Sequence, residues 1–409
     1  MIRPPSRPRT SPAILALGIT QIIGWGTTFY LPALLARPMA ESLGLSISSV
    51  LGAYCWAMLI SGALSRRIGR LIDRYGAAPA MAGASLLTAA ALLLLSSASG
   101  AVALWTAWTL IGIAMRAILY DGAFAALTAL EGTSARRAIS LLTLLGGLAS
   151  TVFWPISHLL LESLDWRFTV ALYALLNFMV CAPLHFFFSG CRPSLPDSTS
   201  PKTGSVATSG AEDRSDPAPT VRIEIAVLLL ATAFSFHAFI WSSLAVHLPD
   251  LLQGFGLTEG TAVAVAAVLG PAQVISRSSE LFAQRWLSPL ALAVPVFAML
   301  PLSLLAFALP GEPLAHAIAF VLLYGLSNGL LTILRGALPL LIIGPRGYGE
   351  LLGRIAAPSL VVSALSPLAF AWLLDTWGPA LSGAALFAAG LAGTFAAAAL
   401  IRYARQSAA

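Results

Sequence analysis

The sequence predicts an all-α polytopic membrane protein with twelve transmembrane helices in two pseudo-symmetric six-helix bundles. Three observations predict it. Of the 409 residues 58% are hydrophobic and 10% charged, against roughly 25% charged in a soluble domain, which leaves too little polar side chain to cover an aqueous surface. The apolar stretches are long and do not alternate, and lipid offers their backbones no partner, so each must close its own hydrogen bonds as a helix of about 20 residues. A polar segment divides the chain, and the stretches on its two sides share short patterns in the same order. A soluble enzyme and a disordered chain are both excluded by these numbers, and the 34 Gly and 26 Pro follow no short period.

In order, the spans fall near 12–36, 47–65, 77–96, 101–127, 138–160, 168–188, 223–246, 261–282, 288–308, 315–343, 351–374 and 379–401. The first begins with basic residues like a signal peptide, but it is longer than a signal core and contains Gln21, so a retained span is expected. An even count puts both termini on one side. Arg3, Arg66, Arg67, Arg70, Arg74, Arg136, Arg137, Arg277, Arg285, Arg346, Arg354 and Arg402 all fall on that side, whereas the opposite loops hold Arg37 and Arg167 among Glu41, Glu162, Asp165, Asp250, Glu259, Glu312 and Asp375. Arginines near span ends stay cytoplasmic, so both termini are expected in the cytoplasm of a cell with the protein in its inner membrane. The net charge of +6 is then mostly a topology signal. No basic stripe interleaved with aromatics points to nucleic acid. Cys55, Cys181 and Cys191 make neither a disulfide framework nor a metal-ligand spacing.

Residues 189–222, rich in Ser, Thr, Pro and Asp and holding the one lysine, Lys202, read as a flexible cytoplasmic linker between bundles at 1–188 and 223–409. Tyr30-Leu31-Pro32-Ala33-Leu34-Leu35 matches His247-Leu248-Pro249-Asp250-Leu251-Leu252, and Leu119-Tyr120-Asp121-Gly122-Ala123 falls on Ile333-Leu334-Arg335-Gly336-Ala337. Between the second and third spans lies Gly69-Arg70-Leu71-Ile72-Asp73-Arg74-Tyr75-Gly76. Together these features resemble the major facilitator superfamily of secondary transporters, whose signature loop has Gly, an aliphatic residue, Asp, Arg and Gly. The basic pair that normally follows is replaced by Ala77, Ala78 and Pro79, and the second copy, Gly270 to Arg285, is degenerate. The resemblance gives Asp73 and Arg74 the role of an inward-side latch and makes the first, fourth, seventh and tenth helices cavity walls. A plain loop obeying the charge rule is the alternative for Asp73 and Arg74.

Three ionisable residues lie well inside spans: Arg116 and Asp121 in the fourth, Arg335 in the tenth. A charge there costs about 2.5–3.5 kcal/mol and needs a cavity or partner. On a continuous helix, residues five apart point about 140° from each other, so Arg116 and Asp121 are not expected to pair along the helix surface. The repeat instead sets Asp121 against Arg335. Arg116 would then be an unpaired guanidinium suited to an oxyanion; the alternative is a water-bridged pair with Asp121, or a brace on neighbouring carbonyls. His237 or Asp121 could carry a coupled proton. Gln21, Trp25, Thr27, Thr28, Tyr30, Ser235, Trp241, Ser242, Asn328 and Thr332 could line the cleft, or serve helix packing.

The function expected is secondary active transport by alternating access of a small molecule, an organic anion first, with protons or a counter-substrate as partner. The alternative is efflux of hydrophobic drugs or of a metalloid such as arsenite. No cofactor, metal or oligomer is required, and with neither a Walker-type loop nor a catalytic constellation an enzyme is not expected.

Overall fold

The computed structural model describes residues 10–187, 218–308 and 310–406, which are built of helices and short turns. The expected linker lies, as far as residue 217, outside the described residues, as does Cys191. Ten helical segments are long and apolar enough to cross a bilayer. They are α1 (Pro12–Leu43), α2 (Ile47–Tyr75), α3 (Ala77–Ser96), α4 (Ala101–Ser134), α5 (Arg136–Ser163), α6 (Trp166–Phe187), α7 (Ile223–Gly254), α8 (Glu259–Ala283), α10 (Pro313–Ile343) and the Tyr348–Gln406 arm. A shorter apolar helix, α9, is Pro289–Leu305. The long last arm is two helices, α11 (348–377) and α12 (379–406), joined at Gly378 with φ 74° and ψ 176°. Positive φ is open to glycine at little cost, and Pro379 then starts the next helix with φ already fixed. The described residues thus form twelve apolar helical arms.

Several helices outrun the hydrophobic stretches that announced them: α1 continues to Leu43 and α2 to Tyr75. The apolar run sets how much of a helix lies in hydrocarbon, while backbone bonding carries on into the polar zone until a stop signal. The Ser46 hydroxyl accepts from the Ser49 amide and starts α2.

Interruptions are concentrated in particular arms. In α1 a π turn at Trp25–Phe29 is followed by a restart at Leu31, with Pro32 in its first turn. In α4 the helix Ala101–Ile118 stops at Leu119, whose φ of −87° and ψ of −167° are extended, and resumes at Tyr120. Both α5 and α8 are interrupted, after Gly146 and Ala266. A second π turn, Asn177–Cys181, lies in α6. Proline supplies other irregularities. Pro367 cannot bond the Ser363 carbonyl four residues before it, and the Ser242 hydroxyl of α7 donates to that carbonyl instead at 2.6 Å.

The arginine-rich end of the arms, called the basic face below, is where the first six helices meet the last six. There Ile72, Ala77, Met81, Phe124, Leu127, Ile139 and Leu142 belong to one buried cluster with residues of α7 to α12. Away from that end the first six helices have a separate core built on Leu35, Met39, Ala53, Trp108, Phe153, Val170 and Tyr173, which Ala364 alone joins from α11.

Candidate functional site

The centre of the site follows from the break in α4. On a straight helix Arg116 and Asp121 diverge, and the sequence-based expectation of an unpaired Arg116 rested on that geometry. The extended residue Leu119 removes it: Arg116 lies in the last turn of one helical segment, Asp121 in the first turn of the next, and Arg116 Nη1 donates directly to Asp121 Oδ2. Arg116 is therefore paired, and the reading of it as a free cation is corrected. Arg335 Nη2 from α10 donates to the same oxygen at 3.2 Å, and Arg116 Nη2 reaches the Leu352 carbonyl of α11 at 3.5 Å. Asp121 thus ties α4 to α10 through Arg335, while Arg116 holds it across the break in its own helix. Its other oxygen, Oδ1, is buried without a hydrogen-bond partner.

Two arginines against one carboxylate leave the cluster one positive charge in excess. The two arginines are not equivalent. The Arg116 side chain is 5% exposed, whereas that of Arg335 is 30% exposed and makes a single bond within the cluster. The excess charge is accessible through Arg335.

Gln21 explains how the break is tolerated. Its Nε2 donates to the Ile118 carbonyl at 2.8 Å, at the end of the first segment of α4, and its Oε1 accepts from Trp25 Nε1 at 3.2 Å. A carbonyl bared by a helix end in lipid must find such a donor. Gln21 is fully buried and occupied in both directions, so it positions Trp25. Trp25 lies 5.0 Å between ring centroids from Tyr120 and 6.2 Å from Tyr30, and Tyr120 stacks on Phe124. Thr27 and Thr28 spend their hydroxyls on the Ile23 and Gly24 carbonyls. Asn177 of α6 donates to both the Thr27 hydroxyl and the Tyr173 carbonyl, so the two π turns touch.

From the second half, His237 is within electrostatic reach of Arg335, and its Nδ1 is buried with no partner. Trp241 packs against the core with part of its ring open, and Asn328 is buried in α10 two turns before Arg335. Thr332 bonds the Asn328 carbonyl, and Ser242 is committed to α11.

At the basic face two clamps join the halves. In the first, Asp73 at the end of α2 accepts from the Gly349 and Glu350 amides at 2.8 and 2.7 Å, capping α11. Glu350 in turn takes Arg66 at 2.7 Å and faces Arg70 at 3.9 Å. Arg74 points elsewhere, its guanidinium 5.3 Å from the Tyr75 ring centre. A side chain on Gly69 would collide with the Gly349 backbone, so the two helices meet main chain to main chain. In the second clamp Arg136 of α5 donates through Nε to Glu280 of α8 at 2.9 Å, and Ser140 to the same carboxylate at 2.6 Å. Arg277 reaches the Thr143 carbonyl at 3.3 Å, beside the break in α5. Arg277 and Glu280 were absent from the sequence-derived candidates because they were read as part of a degenerate loop. Their position inside the span 261–282 was the available signal.

The family model for the Major Facilitator Superfamily matches residues 16–355. Among solved structures, the human organic anion transporter MFSD10 (TETRAN) superposes with a TM-score of 0.69 at 14% identity, covering 96% of this chain and all of that one. The E. coli fucose:proton symporter FucP gives 0.65 at 13%, covering 96% and 97%, and the proton:xylose symporter XylE bound to a bromodeoxyglucose gives 0.65 at 14%, covering 95% of each. At such identities the likeness is one of fold. No curated protein matches the chain by sequence. With the family model spanning most of its length and a helical bundle of matching architecture, the chain belongs to the Major Facilitator Superfamily of membrane transporters, and it is not an enzyme.

Proposed function

We propose that the protein is a secondary active transporter that moves a small organic anion across the cytoplasmic membrane by alternating access, both termini lying in the cytoplasm. The observation that carries this reading is the excess positive charge of the Arg116–Asp121–Arg335 cluster, accessible through Arg335. A carboxylate is matched by the forked guanidinium. Arriving at Arg335, it would compete with Asp121 and so loosen the Asp121–Arg335 bond between α4 and α10. The bundles at 1–188 and 223–409 would then rock about this point. One structural relative, human MFSD10, is an organic anion transporter, which agrees with the chemistry. Arg116 serves to hold Asp121 rather than to meet substrate.

Coupling to protons is assigned to His237, whose Nδ1 is buried without a partner and whose ring is within electrostatic reach of Arg335, with Asp121 as the rival carrier. A second reading, export of hydrophobic drugs, draws on the ring cluster of Trp25, Phe29, Tyr30 and Tyr54.

The test is a thermal-shift panel on detergent-purified protein with mono- and dicarboxylates, lipophilic cations and arsenite, repeated with Arg335→Gln. Carboxylates should stabilise the wild type and not the variant. Stabilisation by lipophilic cations alone, equal in both proteins, would refute the anion reading. Transport into proteoliposomes with and without a pH gradient, using His237→Gln, tests the coupling: the variant should lose the gradient dependence while still binding substrate.

A further inference from the structure

A lateral cleft lies away from the central charges. Near the basic face a recess of about 570 Å³ is lined by Arg66 of α2, Glu224 of α7 and Arg354 of α11 above an apolar floor. It adjoins a second recess of about 740 Å³, whose walls include Phe236 and Phe239 of α7, Val362 of α11 and Ala388 of α12. Leu228, Ala231 and Pro358 line both, so the two are one continuous cleft. None of Arg116, Asp121 and Arg335 lines it. Leu228 is 65% exposed, which puts the cleft on the outer, lipid-facing side of a spanning helix.

The cleft is charged at one end and greasy along the rest. From Glu224 to Phe239 it follows fifteen residues of α7, about 22 Å at 1.5 Å per residue, more than the roughly 15 Å of hydrocarbon in one leaflet. Its polar lining beyond the mouth is Thr232 and Ser235, and the Ser235 hydroxyl is buried without a hydrogen-bond partner. At the mouth the guanidiniums of Arg66 and Arg354 converge, each held by a carboxylate, Arg66 by Glu350 and Arg354 by Glu224. Arg354 is bonded to Glu224, but that carboxylate is 61% exposed, and so open a pair is easily exchanged for a better acceptor. Phosphate is such an acceptor, because guanidinium forks match its oxygens.

We propose that this cleft binds one anionic glycerophospholipid, its phosphate between Arg66 and Arg354 and an acyl chain lying along α7 against Phe236 and Phe239. The inference stands apart from the transported substrate. Because Arg66 comes from α2 while Arg354 and the apolar walls come from α7, α11 and α12, the lipid bridges the two halves beside the α2–α11 clamp. It also draws on Arg66, which otherwise serves Glu350. Lipid composition would thus bias how firmly the basic face is held shut.

The test is native mass spectrometry of the full chain in detergent, titrated with dioleoyl phosphatidylglycerol and separately with dioleoyl phosphatidylcholine. The wild type should prefer the anionic lipid about tenfold. Arg66→Gln and Arg354→Gln should each lower phosphatidylglycerol affinity about fivefold, the weight of one basic residue at an anionic headgroup. Arg67→Gln, a neighbour outside the cleft, should change it less than twofold. Ala388→Trp, which fills the apolar end and leaves both arginines, should weaken both lipids alike and keeps the proposal falsifiable if an arginine variant fails to fold. Equal affinity for the two lipids overturns the proposal, as does a preference that survives both arginine variants. Displacement of phosphatidylglycerol by millimolar inorganic phosphate would make the mouth a free-anion site and overturns it too.

Discussion

The two clamps at the basic face join the same halves with different physics. In the α2–α11 clamp both helices run unbroken through the contact, their backbones meet at Gly69 and Gly349, and the charges stand at the rim: Asp73, which takes two amides of α11, is exposed, Arg66 is 58% exposed and Glu350 29%. In the α5–α8 clamp both helices are interrupted, and the charges are inside: Glu280 is 2% exposed and Arg136 17%. The first holds by shape and the second by buried charge. A rim pair contributes little, since water and salt compete for it, whereas a buried carboxylate that loses its partner is left uncompensated. The difference teaches that the acidic residue of the recognisable signature loop need not be the strongest tie. The charge that should matter most sits in the copy whose signature has decayed.

This comparison can be broken by mutation. The largest effect is expected for Arg136→Ala, which strands Glu280: closure of the basic face should weaken by about 3–5 kcal/mol, read as faster labelling of a cysteine placed at that face. Asp121→Asn comes next. It removes the shared negative charge and leaves Arg116 and Arg335 uncompensated beside each other, at a cost of about 3 kcal/mol, measured as a lowered thermal midpoint that an added carboxylate ligand partly restores. Gly69→Val should force α2 from α11 and cost about 1–3 kcal/mol, with the same labelling readout. Glu350→Gln should cost less than about 1 kcal/mol, and the loss should vanish in 1 M salt, where exposed pairs are screened. Arg74→Gln, whose side chain crosses to no partner, should lie within about 0.5 kcal/mol of the wild type. A Glu350→Gln effect equal to that of Arg136→Ala would abolish the distinction.

Most of the architecture was legible because hydrocarbon is a strict solvent: length, composition and arginine placement follow from it directly. The pairing of Asp121 with Arg335 was also within reach, because a matched position in a repeat carries depth with it. What could not be read was the course of the backbone within a span. Nothing in Ile118-Leu119-Tyr120 announces a break by proline or glycine, so the straight-helix angle misplaced Arg116. Gln21, Thr27 and Ser242 looked like cavity polar groups and instead repair helix irregularities, a need invisible until the irregularities are seen. Arg277 and Glu280 were masked by their nearness to a span end, where basic residues already had an explanation.

The wide turn at Trp25–Phe29 carries one residue more than its height requires. Tightening it to regular spacing would swing everything beyond Phe29 by about 100° around the axis of α1, carrying Tyr30 away from Trp25 while Gln21 kept its hold on α4. One inserted residue thereby acts as a dial on the ring cluster, turning its outer members without unseating the inner one.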